Sequence, residues 1–521
     1  MSRRLLSVLC VLAGCGNDRA ITGPDDPEAA AVVPARVRLL TDAQYTHAVH
    51  DLLGATIIVP DLESPGTHPD QFIHDDVLAV DAPLLVQYRI AAETIAHQLE
   101  TELEMPCVAT DLACAQAWVE DVAGRAFRRP LESVEREQLN ALYTLGRASG
   151  ERSGYALVAE AVLQAPSFVY RTELGAAPGT AIELTPHELA AELSFLFLDS
   201  IPDAELWRAA NDSTLADHDV LEAQVDRLLE TPRVRTHLTE VVLDWLGVPG
   251  VLTAGKDELV FPELTPELRR SMYAETEAFV SDVLWRRDGS LRELLTSNQT
   301  FVDAPLAELY GVTTRPMQMS RITLDHARRG GILTQASILT TLATEQRESI
   351  IRRGMFVRRT FLCLPDPGRP PFAAIVAESG FTHAMTESQF SFFRGAHVYC
   401  SGCHASIDPA GRALHHYDGI GRWRDVDEIA SPVESDAVLE IGGIPTRITD
   451  AVNLGRVLAE SDHVARCVVD QLANHAFGRK ITDPKTQAFL HDRFEDSGHD
   501  LVDVFRTLAT SAAFRYRRGD P

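Results

Sequence analysis

The feature that most restricts the fold is a long succession of helix starts, each followed by an apolar stripe at helical spacing, with almost no strand alternation between them. Thr185-Pro186-His187-Glu188 combines a capping hydroxyl, proline at the first helical position and a glutamate three residues after the cap. Leu189, Leu193, Leu196 and Phe197 follow on one helical face. Thr41-Asp42-Ala43-Gln44 is a second capping box, leading into Tyr45, Val49, Leu52 and Leu53 and stopped by Gly54. The same periodicity predicts helices over 85–103, 118–127, 135–145, 155–163, 220–229, 234–246, 266–284 and 454–477. Strand signal is confined to 438–448, where two short apolar runs flank Gly442-Gly443 as in a hairpin. No internal repeat with a period of roughly 20–50 residues is present, which argues against a solenoid. With 45% apolar and 24% charged residues over 521 positions, the chain can bury several cores. The expected fold is mainly α, with several helical modules in series and a minor β-hairpin.

The 48 Lys and Arg against 75 Asp and Glu leave a net charge of −27. Such a surface repels phosphate backbones and anionic headgroups, which excludes nucleic acid as a partner. Residues 1–15 (MSRRLLSVLCVLAGC) place Arg3 and Arg4 before an apolar run from Leu5 to Ala13. That run is too short for a bilayer, which takes about 20 residues, and reads as a secretory signal. Leu12-Ala13-Gly14-Cys15 resembles the bacterial lipobox, so Cys15 is the expected lipidation site and a lipid anchor the only expected membrane attachment. An ordinary signal peptide with an incidental Cys15 is the alternative. Residues 16–34, rich in Gly, Pro, Asp and Ala, are expected to form a flexible tether. The expected location is beyond the inner membrane, as an outer-membrane or periplasmic lipoprotein.

Setting Cys10 and Cys15 aside leaves six cysteines in an oxidising compartment. Cys107 and Cys114 close a short loop and are expected to pair. Cys400-Ser401-Gly402-Cys403-His404 has the C-x-x-C-H spacing of covalent c-type haem attachment. The two thiols add across the porphyrin vinyls, and His404 lies under the ring as proximal ligand to the iron. A redox dithiol and half of a zinc site are the alternatives. No thioredoxin-like βαβ pattern surrounds the motif, and Cys363 and Cys467 stand too far apart, singly, to complete a zinc site. If one haem c takes Cys400 and Cys403, Cys363 and Cys467 remain as a long-range disulfide.

Further phrases follow in order: Leu40-Thr41-Asp42-Ala43-Gln44-Tyr45 with Asp51-Leu52-Leu53-Gly54, Ala126-Phe127-Arg128-Arg129-Pro130-Leu131, and Ala165-Pro166-Ser167-Phe168-Val169-Tyr170-Arg171. Trp245-Leu246-Gly247, Gly331-Ile332-Leu333-Thr334-Gln335-Ala336-Ser337, Arg353-Gly354, residues 400–424 (CSGCHASIDPAGRALHHYDGIGRWR) and Phe477-Gly478-Arg479 complete the series. The series resembles a family of large secreted bacterial proteins built from consecutive domains of unknown function of the 1587, 1595, 1592, 1588 and 1585 types, the fourth bearing a cytochrome-c-like C-x-x-C-H. The resemblance implies modules at 35–104 (1587-like), 105–175 (1595-like), 180–315 (1592-like), 325–430 (1588-like, cytochrome-c-like) and 431–521 (1585-like). It also implies Met385 as a distal iron ligand, because the family usually has a methionine before the motif. No methionine follows Cys403, so the downstream ligand common in cytochromes c is excluded. His383, His397, His415 and His416 are the other candidates, beside an open or water-ligated site. Domain succession supplies no reaction by itself.

Asp408-Pro409 is placed either to accept from the second ring nitrogen of His404 or to start a helix. Arg422, Trp423 and Arg424 offer two guanidinium groups and an indole donor suited to haem propionates, with a surface ion-pair cluster as the alternative. Weaker constellations are an acid pair among Glu275, Glu277 and Asp282, metal ligation by His47 and His50, and inter-module ion pairs or an anion site at Arg125, Arg128 and Arg129. Ser167 and Ser337 lack a nucleophile-elbow context. The full expectation is a helical protein with a small cytochrome-c-like haem region, passing electrons to or from an extracytoplasmic redox partner. An open iron would instead make a haem-dependent oxidase or peroxidase acting on an extracellular polymer or small molecule. A third reading is a haemless surface-binding scaffold in which Cys400 and Cys403 pair or stay reduced.

Overall fold

The computed structural model describes residues 27–62, 80–102, 104, 106, 107, 111–368 and 385–519. The signal with its Cys15, most of the tether, and His383 lie outside them. The body is mainly helical, and its helices start where the local chemistry says they should. In α1 (Asp42–Leu53) the Gln44 N–H donates to Thr41 Oγ1 at 3.1 Å and the Thr41 N–H to Gln44 Oε1 at 3.3 Å. Helices α2 (Ala82–Glu102), α3 (Leu112–Phe127), α4 (Ser133–Arg147) and α5 (Glu151–Leu163) close with α1 around one core. Its centre is aromatic: Tyr45, Tyr88, Tyr143, Tyr155 and Phe168.

A second core begins at α6 (Pro186–Phe197), capped by the Thr185 and Glu188 pair, and runs through α7 (Pro266–Arg286), α8 (Ile350–Leu362) and, past α9 (Glu387–Ala396), whose buried residues are polar, through α10 (Ser401–Ala413), α11 (Asp462–Phe477) and α12 (Leu501–Thr510). Leu193, Phe279, Phe361, Leu414, Leu472 and Phe505 belong to this single cluster. The stretches 180–315, 325–430 and 431–521 therefore share apolar burial instead of each closing a core of its own. A smaller cluster of Phe261, Met272, Leu306 and Ile420 lies beside it.

Eight short strands occur among the described residues: β1 (Arg36–Leu39), β2 (Tyr170–Glu173), β3 (Ala181–Glu183), β4 (Gln299–Val302), β5 (Ser320–Thr323), β6 (Ala437–Ile441), β7 (Ile444–Ile448) and β8 (Tyr516–Arg518). They form four antiparallel pairs, β1 with β2, β3 with β8, β4 with β5 and β6 with β7. The last is the expected hairpin, with Gly442 and Gly443 at φ 58° and 82°, a turn that only glycine enters freely. The other three pairs were not legible, because three or four residues leave no alternation to detect and the partners lie far apart in sequence.

Two expectations are corrected. The stripe at 454–477 is two helices, Ala451–Ala459 and Asp462–Phe477, since the start signal of Ser461 with an acidic first turn at Asp462 interrupts the periodicity. Residues 27–34 are not tether: Ala30 and Val33 are buried, and the Arg518 N–H donates to Val33 O at 2.6 Å while the Ala35 N–H donates to Arg518 O at 2.8 Å.

Candidate functional site

Of the six described cysteines, Cys107 pairs with Cys114 and Cys363 with Cys467, while Cys400 and Cys403 are unpaired and half-buried. Cys400 is the residue before α10 and Cys403 follows one turn later, so a spacing of three puts both sulfurs on one side of the helix start. His404 is the next residue. Its Nδ1 lies 2.9 Å from Asp408 Oδ1, one turn on, and Asp408 Oδ2 accepts from Ser391 Oγ at 2.7 Å and from Arg394 Nε at 3.3 Å. Arg394 is held in turn by Glu387 at 3.0 Å. Burial opposes ionisation of Asp408, but the hydrogen bond from His404, the charge of Arg394 and the Ser391 hydroxyl outweigh it and leave its pKa below the ordinary value. An ionised Asp408 can only accept, so Nδ1 carries the proton and Nε2 is the nitrogen with a free lone pair. Of the two uses read for Asp408, the structure shows the acceptor.

Helix α10 is clamped from behind. A Cβ on Gly354 of α8 would stand 2.0 Å from Ile407 O, and one on Gly411 of α10 would stand 1.9 Å from Ile350 O. The two helices thus cross at backbone contact, which is why both positions are glycine. Buried Arg353 donates to the carbonyls of Leu414, Tyr417 and Asp418, each at 2.7 Å, satisfying the C-cap and the turn that follows α10.

The front is apolar and open. Phe390 and Phe393 stack along α9, Phe393 meets His397, and His397 meets Tyr399. Phe392, Val398 and Tyr399 are 77%, 78% and 68% exposed, an unusual concentration of large apolar side chains in water beside two free thiols. Thiols, a histidine with Nε2 available and an aromatic wall fit a covalently attached planar macrocycle. Cys400, Cys403 and His404 are the residues that would hold it.

The remaining expected site residues are engaged elsewhere. Arg422 pairs with Glu263, Trp423 stacks on His416 at 4.5 Å and donates to Asp425 Oδ1 at 3.0 Å, and Arg424 pairs with Glu348 and with Glu428. These contacts are those of the surface ion-pair alternative. His415 is buried against Glu348, and its imidazole is pushed down to about 3 by burial and by Arg424 and Arg353. His416 has its Nδ1 2.9 Å from Arg424 O. Met385 precedes the N-cap Thr386, at the opposite end of α9 from the motif, a helix of 10 residues and therefore about 15 Å. His397 does contact the motif, with Nδ1 3.6 Å from Cys400 Sγ.

One residue was missed. Arg358 of α8 is buried near Cys403, donates to Ser406 O at 3.3 Å, and keeps a buried Nε without a hydrogen-bond partner. Only its place one turn after Arg353-Gly354 could have flagged it. The weaker constellations dissolve. Glu275 faces Thr300 and Tyr310, Asp282 faces Arg287 and Arg321, and Glu277 is exposed, so no acid pair forms. His47 binds Asp199, His50 binds Ile57 O, and Ser337 meets Thr276. Arg125 reaches Asp51 O, Arg128 the carbonyls of Ser167, Phe168 and Tyr170, and Arg129 the carboxylate of Glu135.

Among the described residues no helix is long and apolar enough to cross a membrane, and the two disulfides are compatible with an extracellular or periplasmic location. No curated protein and no solved structure matches the chain. Family models described as Protein of unknown function match in unbroken succession: DUF1587 over residues 38–100, DUF1595 over 114–173, DUF1592 over 184–312, DUF1588 over 329–427 and DUF1585 over 446–514. The chain thus carries five consecutive domains of unknown function, with Cys400, Cys403 and His404 inside the fourth.

Proposed function

We propose that the protein is an extracytoplasmic c-type haem protein, anchored by lipid at Cys15, that passes electrons to or from a redox partner. The observation that carries this reading is the state of the cysteines. Where four described cysteines are paired, the two of the C-x-x-C-H motif are free, share one side of a helix start, and precede a histidine whose Nδ1 is already bound by Asp408. When bound, the haem supplies the one-electron chemistry. The chain would supply thioether attachment through Cys400 and Cys403, an iron-binding nitrogen from His404, and the aromatic face of α9.

A second reading has its own support. A carboxylate on the far nitrogen makes a ligating histidine more basic, and the Asp408 contact therefore suits a haem oxidase or peroxidase as well as a carrier. Absorption spectra separate the two. The protein is produced in a host with cytochrome c maturation and recorded oxidised, reduced, and reduced with carbon monoxide, beside Cys403→Ala. A sharp reduced α-band, indifferent to carbon monoxide and lost in the variant, is the expected result for a carrier. A carbon monoxide shift favours the oxidase or peroxidase, and the absence of any haem band rejects both and leaves a haemless scaffold.

A further inference from the structure

A protein of net charge −27 buries an excess of positive charge at one point. Where β1, β2, α6 and β8 meet, the guanidinium groups of Arg36, Arg38, Arg171 and Arg517, with Arg128 behind Arg171, surround two carboxylates, Glu173 and Glu192. All seven residues are at least nine-tenths buried, so five guanidinium groups and two carboxylates are gathered away from water. Glu173 is well used: Arg36 Nε donates to it at 3.0 Å, and Arg517 binds its other oxygen. Glu192 is not. Arg38 Nη1 and Arg517 Nη2 each stand 3.7 Å from Glu192 Oε2, and Arg171 Nη1 stands 3.4 Å from Oε1. These contacts are ionic but too long or misaligned to be hydrogen bonds.

The consequence is a set of buried donors around the two carboxylates that have no hydrogen-bond partner: Arg38 Nη1, Arg171 Nε, Arg517 Nη2 and, behind Arg171, Arg128 Nη1. Unmatched donors on buried charged groups are costly, and folded proteins meet them with a protein acceptor, an ordered water or a bound ion. Burial, then the neighbouring guanidinium charges, pulls the pKa of both Arg38 and Arg128 down to about 9, as expected where positive charge outweighs negative. Arginine does not escape by losing its proton at neutral pH.

We propose that this cluster is a structural anion site that takes chloride, bound by Arg38 Nη1, Arg171 Nε and Arg517 Nη2. The ion joins strands from the first, second and last of the chain's modules to the Glu192 helix of the central one. A monovalent ion of this size accepts from several N–H groups at once and leaves Glu173 and Glu192 in place, which a larger oxyanion between two carboxylates does not.

Crystals of the full chain grown in bromide test the site directly. An anomalous peak in contact with the Arg38, Arg171 and Arg517 side chains is expected. Bromide found elsewhere on the molecule with only water in the cluster overturns the proposal. In solution, the thermal midpoint in chloride against gluconate at fixed ionic strength should rise saturably by a few degrees. Arg171→Met, which keeps side-chain length and removes one donor, should lose that rise. An equal response to both salts in the native protein overturns the proposal whether or not the variant folds.

Discussion

The crossing of α8 and α10 fixes the motif helix, and Gly411→Ala tests how firmly. A methyl at position 411 would lie 1.9 Å from Ile350 O, and because that atom is backbone no side chain can swing away to relieve it. The helices must separate by an ångström or more locally, and overpacking of this kind costs about 1–3 kcal/mol or more. Alanine in place of glycine inside a helix returns up to about 1 kcal/mol. The expected net loss is about 1–2 kcal/mol by subtracting the second from the upper range of the first. Gly402 sits in the same helix with nothing within 4 Å of its Cβ position, so Gly402→Ala gains propensity without a clash. Urea unfolding of the full chain should therefore lower the midpoint for Gly411→Ala and leave it level or raised for Gly402→Ala. A Gly411→Ala protein as stable as Gly402→Ala would refute the backbone contact.

Asp408→Asn replaces a charge-assisted acceptor on His404 by a neutral one, and the reduction potential of the holoprotein should rise by roughly 30–90 mV, at 59 mV per tenfold change for one electron; a redox titration that superimposes on the native one rejects the assigned role. Removing Cys363–Cys467, which spans 104 residues, should cost about 4–5 kcal/mol, and removing Cys107–Cys114, which spans 7, about 2–3 kcal/mol, so the reverse order of guanidinium midpoints contradicts the chain-entropy account. Burial pushes the carboxyl of Glu275 up to about 7, above its unfolded value, so its contribution is complete below pH ~4.5 and lost as pH rises through 7, by about 3 kcal/mol. Glu275→Gln should flatten that limb, and a native stability already flat between pH 5 and 7 counts against it. A fragment of residues 325–430 should show no cooperative unfolding, since Leu414 and Tyr417 share a core with Leu193 and Phe505; a sigmoidal transition would show that it folds alone.

Much of the helical body was legible because helix signals are local. A hydroxyl at 185, a proline at 186 and a glutamate at 188 act within one turn, and the structure uses all three. The gathering of modules was not legible, since apolar stripes record that a face is buried and not against what. Nor was the pairing of β3 with β8, over 300 residues away: three residues such as Ala181–Glu183 acquire strand character only once the chain end arrives.

The site shows the same division at closer range. C-x-x-C-H and the Asp408 acceptor are four-residue relations along a helix, and they could be read from spacing. Arg422, Trp423 and Arg424 looked like anion ligands because their chemistry permits it, but Asp425 and Glu428 just downstream, with Glu263 and Glu348 from other stretches, pair with them. What the structure adds is a chain of support. Asp408 fixes the His404 ring, Ser391 and Arg394 of α9 fix Asp408, and α10 rests on α8 at Gly354 and Gly411. Cys363 ends α8 and ties it to Cys467 of α11, in the last module. The motif helix is thus braced within its own module and, through that disulfide, by α11 of the last one. An iron ligand held in this way would keep its geometry when the charge at the site changes, so under the proposed electron-carrier reading the large helical body has a part in that function.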